Sequence, residues 1–146
     1  MHADSDRPDP AGSDRPDPAS SDRLGAAAYV SLATWRRDGR EVRTPVWVAA
    51  AAGRLYVFSE ARAGKVKRIR ATGRVAVAPC NVRGDLRGDF VPGIGRVVDD
   101  AETTRRGYRA LRGKYGWKMV LADTFSALSG RIHERALLEI DLAPQP

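Results

Sequence analysis

Short apolar runs separated by turn residues recur along most of the chain, a pattern typical of β-strands. The run AAYVSLAT at 27–34 is apolar, and Asp38-Gly39 supplies the turn that follows it. Pro45 interrupts the next run, where its missing N–H suits an edge, a bulge or backbone that faces a ligand. The pattern predicts six strands, over residues 27–34, 41–50, 54–59 and 74–80, a stretch ending near 98, and 136–142.

Helical spacing is concentrated late in the chain. Val66 and Ile69 lie three residues apart among basic residues, which predicts a short helix over 63–71 that ends before Gly73. A second helix is expected from an Asp cap at 99 or 100 to about residue 115, and a third over 117–128. Strands first and helices late favour an α+β, mainly β fold, in which an antiparallel sheet or barrel carries packed helices.

The N-terminal segment differs from the rest in composition. SDRPDPAG at 5–12 is repeated as SDRPDPAS at 13–20. Frequent proline and the lack of large apolar side chains predict a disordered tail over 1–22, most simply a solubilising extension, although a docking arm remains an alternative. Residues 23–146 then form one domain, the expected number for a chain of 146 residues.

Charge restricts the partners without selecting one. The formal net charge is +7, and the first 23 residues hold six Asp against three Arg, so residues 24–146 carry +10. Phosphorylated cofactors, acidic peptides, nucleic acid and anionic membrane surfaces all suit such a surplus. A membrane protein is not expected, because no apolar run approaches the length of a transmembrane helix and no signal peptide is recognisable. A cytoplasmic location is expected.

Residues with common catalytic roles are few. Cys80 is the only cysteine, which excludes an internal disulfide, and its apolar strand favours an inert thiol over a nucleophile. His133 is the only histidine outside the tail, and no serine has the G-x-S-x-G context of a hydrolase. The glycines of the 84–95 loop lack the spacing of a phosphate-binding fingerprint. We therefore expect no metal site and name no catalytic residue.

The strongest candidate site is the stretch 44–69, TPVWVAAAAGRLYVFSEARAGKVKRI. Its strands offer backbone and aromatic side chains to a flat ring, and Lys65, Lys67 and Arg68 lie on the following helix, where a phosphate could be held. The alternative is that these charges form only the solvated face of a helix. Trp47 and Tyr56 are equally open to two interpretations, as core residues or as the flank of a ring.

The same residues carry a family resemblance. LATWRRDGREVRTPVWV, RLYVFSEARAGKVKRIRATGRVAVAPC and ALRGKYG together resemble the pyridoxamine-phosphate-oxidase-like split β-barrel family. Within it, the chain is most similar to the branch of small actinobacterial proteins described as coenzyme F420-dependent oxidoreductases, a flavin/deazaflavin group. The resemblance covers residues 24–142. It implies a homodimer of split barrels with a cofactor at each of two subunit junctions.

The resemblance also implies roles for particular residues. Those that match the ring site are Thr44, Pro45, Val46 and Trp47, and those that match the phosphate site are Ser59, Lys65 and Arg68, with Arg62 and Lys67 as supports. Coenzyme F420 ends in a polyglutamate tail, so the surplus of +10 favours it over FMN. Arg83, Arg87 and Arg96 are candidates for a basic groove that would hold this tail.

The expected activity is hydride transfer from reduced F420 to a small unsaturated or carbonyl-like substrate. Two alternatives remain at the level of sequence, an FMN-binding oxidoreductase and a protein that binds or sequesters F420 without turnover. A nucleic-acid-binding barrel is disfavoured, because Trp47, Tyr56 and Phe58 lie on apolar strands with little basic interleaving.

Overall fold

The computed structural model describes residues 18–116, 118 and 135–143. The predicted antiparallel α+β arrangement is confirmed. In chain order the elements are α1 (Pro18–Gly25), β1 (Tyr29–Trp35), β2 (Glu41–Val46), β3 (Ala49–Ala51), β4 (Arg54–Glu60), α2 (Gly64–Thr72), β5 (Arg74–Cys80), β6 (Val91–Val97), α3 (Ala101–Tyr115) and β7 (Arg135–Leu142).

One curled sheet holds all seven of these strands, in the order β2-β1-β5-β6-β7-β4-β3. Every neighbouring pair is antiparallel. The two edge strands, β2 and β3, are consecutive in the chain and are joined only by Trp47 and Val48. This short link brings the edges of the sheet together at one point and leaves the barrel split elsewhere.

The prediction of a single strand over 41–50 is wrong. β2 ends at Val46 and β3 begins at Ala49, because β2 pairs with β1 whereas β3 pairs with β4. The chain changes partner across Trp47 and Val48. The hydrogen bonds of Val48 therefore go to side chains of α3 and not to a strand.

The predicted boundary of the tail at residue 22 is also wrong, since α1 begins at Pro18. Proline is favourable in the first turn of a helix, where its missing N–H would have no partner. Ser21 is fully buried and donates a hydrogen bond to the Gly53 carbonyl (2.8 Å), and Leu24 enters the core. The second copy of the repeat thus contributes its last residues to the folded domain.

The sheet separates two apolar clusters. The larger fills the inside of the barrel and includes Val30, Leu32, Val57, Leu138 and Ile140. The smaller lies between α3 and the outer face of the sheet, and is built around Tyr56, Leu111, Tyr115 and Leu137.

The helix ends follow the sequence signals. Asp100 caps α3 by accepting a hydrogen bond from the Thr103 N–H (2.9 Å), and Gly73 ends α2 in the left-handed region at φ 75°. Apart from residue 118, the predicted helix over 117–128 lies outside the described residues, and so does His133. Among the described helices, none is long and apolar enough to cross a bilayer.

Candidate functional site

A cavity of about 460 Å³ lies in the split of the barrel, within the range of about 300–1,000 Å³ that is usual for ligand sites. We call it the seam cavity. The end of β2, the end of β4, the start of β1 and the start of α2 surround it. Its lining is Tyr29, Thr44, Pro45, Val46, Trp47, Phe58, Ser59, Glu60, Ala63 and Lys65.

Six of the nine residues proposed from the sequence therefore surround one cavity. They are the four that match the ring site (Thr44, Pro45, Val46, Trp47), together with Ser59 and Lys65. Pro45 lies on an edge strand, opposite Ser31 of β1. An edge tolerates the missing N–H, as the sequence indicated.

Tyr29 is a lining residue that the sequence reasoning missed. The β1–β2 hairpin pairs Val30 with Val46, so Tyr29 is the next residue along β1 at the level of Trp47. The Asp38-Gly39 turn sets this register, because it fixes which residues of the two strands face each other. Counting back from the turn would have identified Tyr29.

Aromatic rings form one wall of the cavity. The Trp47 ring stacks on Tyr115 of α3, with centroids 4.5 Å apart and planes 10° from parallel. Phe58 meets Trp47 edge to face at 6.0 Å, and the Tyr108 ring lies 6.4 Å from Phe58. Such arrangements are the favourable geometries for aromatic pairs. Trp47 therefore packs against the smaller apolar cluster and also lines the cavity, so both interpretations of this residue apply.

Lys114 and Tyr115 fix the link on which Trp47 lies. The Tyr115 hydroxyl accepts a hydrogen bond from the Val48 N–H (3.0 Å) and lies 2.8 Å from the Ala28 carbonyl oxygen. The Lys114 ammonium donates to the carbonyls of Gly25 (2.5 Å), Val48 (2.7 Å) and Ala27. Burial of its ammonium lowers the pKa of Lys114 to about 8. The GKYG portion of the ALRGKYG motif thus holds the end of α1 and the β2–β3 link together.

Lys65 lies in the first turn of α2 and brings a positive charge to the cavity. Burial lowers the pKa of this lysine, the neighbouring Arg68 lowers it further, and Glu60 acts in the opposite direction. No side chain caps the start of α2, where Ala63 occupies the N-cap position. The first N–H groups of the helix are thus available to an anion beside the Lys65 ammonium.

The other three basic residues proposed from the sequence do not line the cavity. Arg62 and Lys67 are exposed. Arg68 donates from Nε to the Thr34 hydroxyl (2.7 Å), which ties α2 to β1. Its guanidinium nevertheless lies over the start of the helix, since a Cβ added to Gly64 would be 2.7 Å from an Arg68 nitrogen. Arg68 contributes charge to this end of α2 from beside the cavity.

Arg83 and Arg87 are exposed on the loop between β5 and β6. This loop passes close to the cavity, because a Cβ added to Gly84 would be 3.9 Å from the Pro45 side chain. Arg96 lies elsewhere. It donates to the buried Glu139 (2.8 Å), which also accepts from the fully buried Tyr56 hydroxyl (2.7 Å). The structure thus separates Arg96 from the other two, and makes Tyr56 a core residue.

The remaining candidates for chemistry stay weak. Cys80 is buried, and burial raises the pKa of its thiol, so the interpretation as an inert thiol holds. No cluster of three or more His, Cys, Asp or Glu side chains occurs among the described residues that could hold a metal ion. Tyr29, Glu60 and Lys65 are the titratable side chains of the cavity lining. The arrangement suits a flat ring against aromatic and backbone groups, with an anionic group at the start of α2.

Comparison with known proteins identifies the fold. No protein-family model and no curated protein matches the chain. Solved structures do match. A Listeria innocua protein described as a candidate pyridoxamine 5′-phosphate oxidase is 14% identical, over 82% of this chain and 86% of that chain, at a TM-score of 0.53. A FAD-binding protein from Mesorhizobium loti is 21% identical, over 84% and 83% of the two chains, at 0.55. An F420 reductase is 20% identical, over 83% and 90%, at 0.50.

The chain therefore has the split β-barrel fold of pyridoxamine-phosphate-oxidase-like proteins, and the resemblance seen in the sequence is confirmed at the level of fold. Its neighbours do not all bind the same group. HutZ, a heme storage protein from Vibrio cholerae, is 14% identical over 90% of this chain and 92% of that chain, at a TM-score of 0.60. The function of this chain has to be argued from the seam cavity itself.

Proposed function

We propose that the protein is an oxidoreductase that binds coenzyme F420 in the seam cavity and uses it to reduce a small unsaturated or carbonyl-like substrate. The observation that carries the proposal is the lining of this cavity. It combines Trp47 and Phe58 on one wall with Lys65 and an uncapped helix start at the other end. A ring and a phosphate in one ligand require these two environments together.

Different residues of the chain would bind different parts of the coenzyme. Trp47, supported from behind by Tyr115, offers a rigid apolar surface to a ring. Lys65 and the first N–H groups of α2 would hold the phosphate, with Arg68 adding positive charge from beside them. When bound, reduced F420 supplies the hydride, and the protein supplies placement and exclusion of water.

Charge favours F420 over FMN. The surplus of +10 beyond the tail suits a polyglutamate extension, which FMN lacks. Arg83 and Arg87 lie on the loop beside Pro45, so they are the arginines that we assign to this extension. Glu60 weakens this attraction for anions, because its carboxylate lies in the lining and would repel a nearby anion. The lining also suits FMN, which stays the second candidate.

Other expectations for the assembly and the reaction stay predictions. These are the homodimer, turnover as opposed to binding alone, and the cytoplasmic location. The carboxylate and hydroxyl groups in the lining, on Glu60, Tyr29 and Ser59, form no acid–base pair with an evident role in catalysis. The proposal therefore takes the proton of the reduction from solvent.

The site is tested by titrating F420 into the purified protein and two variants, with binding followed by fluorescence. Lys65→Ala should weaken binding more than about tenfold, near 1.4 kcal/mol, because it removes a charge-assisted contact to the phosphate. Lys67→Ala is the matched control, since it removes the same charge from an exposed position of the same helix. Its affinity should stay within about twofold of the unmodified protein. Equal losses in the two variants would mean that α2 attracts the cofactor only through its general charge.

A further inference from the structure

A row of arginines on α3 has no partner among the described residues. Arg105, Arg109 and Arg112 follow one another at spacings of four and three, so they lie along one stripe of the helix. All three are exposed, and none forms an ion pair within the described part of the chain. They border two shallow surface depressions, of about 540 and 350 Å³. We call them the α3 arginine row.

One acidic side chain, Glu102, lines the same depression as Arg105 and Arg109. Arg106 adjoins the row and pairs with Glu102 at 3.6 Å, so this carboxylate is already engaged. Three like charges at such spacings repel one another and are destabilising for an isolated helix. An anionic group placed on the row would relieve the repulsion.

The start of the folded chain lies close to this row. Ser21 of α1 is hydrogen-bonded to the β3–β4 turn at Gly53, and Ala51 of β3 borders the depression that Arg105 and Arg109 also border. α3 runs antiparallel to β3, because Tyr115 bonds to Val48, which precedes β3, whereas residues near the start of α3 line the same depression as Ala51. β3, which borders the row, is an edge strand of the sheet.

The chain that precedes Pro18 is acidic. Residues 1–17 hold five Asp and two Arg. Each repeat contains the pattern D-R-P-D, which places Asp6 with Asp9 and Asp14 with Asp17. Proline favours the polyproline II conformation, which has three residues per turn, so two Asp that are three residues apart fall on one face about 9 Å apart. Arg105 and Arg112, seven residues apart on a helix, are separated by about 10 Å.

We propose that the N-terminal Asp repeat docks in cis on the α3 arginine row. Asp14 and Asp17 are the nearest acids to the start of α1 and would contact the row first. The 17 residues reach about 50 Å when extended in this conformation, so the tail has ample length. The acidic repeat would then occupy this surface, and a polyanion that binds the row with higher affinity would displace it.

Paramagnetic relaxation in the full-length chain tests the proposal. A nitroxide is attached at Ala11→Cys, near the end of the first repeat, after the buried native thiol has been removed by Cys80→Ala. The proposal expects broadening of α3 amide signals near Arg105, Arg109 and Arg112. The broadening should disappear at about 0.5 M salt, where screening acts within a few ångströms.

Two sets of charge variants separate this contact from general attraction. Arg105→Glu together with Arg109→Glu should abolish the broadening, and so should Asp14→Asn with Asp17→Asn, which leaves the folded domain untouched. The matched control is Lys67→Glu with Arg70→Glu on α2, which reverses two exposed charges on another helix and should leave the broadening in place.

Three results would overturn the proposal. One is broadening that is spread evenly over the surface, and a second is broadening that survives both sets of substitutions. The third is broadening that arises only between chains, when an isotope-labelled chain without nitroxide is mixed with a nitroxide-labelled one. This last result would assign the row to a second copy of the protein.

Discussion

At the scale of single residues, the proposed site depends on side chains that serve the fold and the cavity together. Trp47 lines the cavity and also stacks on Tyr115. Lys114 bonds three carbonyls around the same link. Side chains of α3 therefore hold the backbone on which Trp47 lies. A substitution at Lys114 should lower the stability of the fold more than it lowers the activity.

The pKa of Lys114 makes this role measurable. The pKa is about 8 in the folded protein and near 10.5 in an unfolded chain, so between these values the unfolded state binds more protons. Stability to urea should consequently rise as pH increases from about 8 toward 10. Lys114→Met should remove this contribution, whereas Lys118→Met, at an exposed position, should retain it. Parallel pH profiles for the unmodified protein and Lys114→Met would contradict the assignment.

At the scale of elements, α3 is placed on the sheet by a close approach at Gly107. A Cβ added there would lie 2.6 Å from a Leu137 methyl and 2.8 Å from the Tyr56 ring. No side chain fits without displacing one of these core residues. The helix can then present Tyr108 and Tyr115 to the aromatic wall of the seam cavity.

Two glycines of the same helix form a matched pair for testing this packing. Gly107→Ala should destabilise the protein by about 1–3 kcal/mol through overpacking, although alanine is the better helix former. Gly113→Ala, where an added Cβ meets nothing within 4 Å, should stabilise it by up to about 1 kcal/mol. Urea unfolding measures both. A stabilising Gly107→Ala would show that α3 can move away from the sheet at little cost.

At the scale of the whole molecule, the positions of several strands could be predicted from the sequence, whereas the closure of the sheet could not. Apolar runs and the Asp38-Gly39 turn located β1, β4 and β5 to within a few residues. The break at Trp47 and Val48 could not be read from that pattern, because it is set by the Val48 contact with Tyr115, 67 residues away in the chain. A local apolar pattern carries no information about such a partner.

The site was partly predictable for the same reason. Thr44, Pro45, Val46 and Trp47 are consecutive, and Lys65 opens a recognisable basic helix, so the family resemblance carried by these short motifs was enough to propose them. Whether Arg68 faces the cavity depends on Thr34 of another strand, to which it bonds. The position of Arg96 likewise depends on a partner that is distant in the chain, because Arg96 pairs with Glu139 of β7. The resemblance and the charge of the chain placed these long basic side chains at the site, and tertiary partners decided where they lie.

The positive charge of the whole molecule supports the proposal that the seam cavity holds the deazaflavin coenzyme. Parallel fluorescence titrations of the purified protein with F420 and with FMN test it most directly, with heme added as a third ligand because a heme protein shares the fold. The expected result is saturable binding of F420 that is tighter than the binding of FMN or heme. Absence of F420 binding, or a preference for either of the other two, would contradict it.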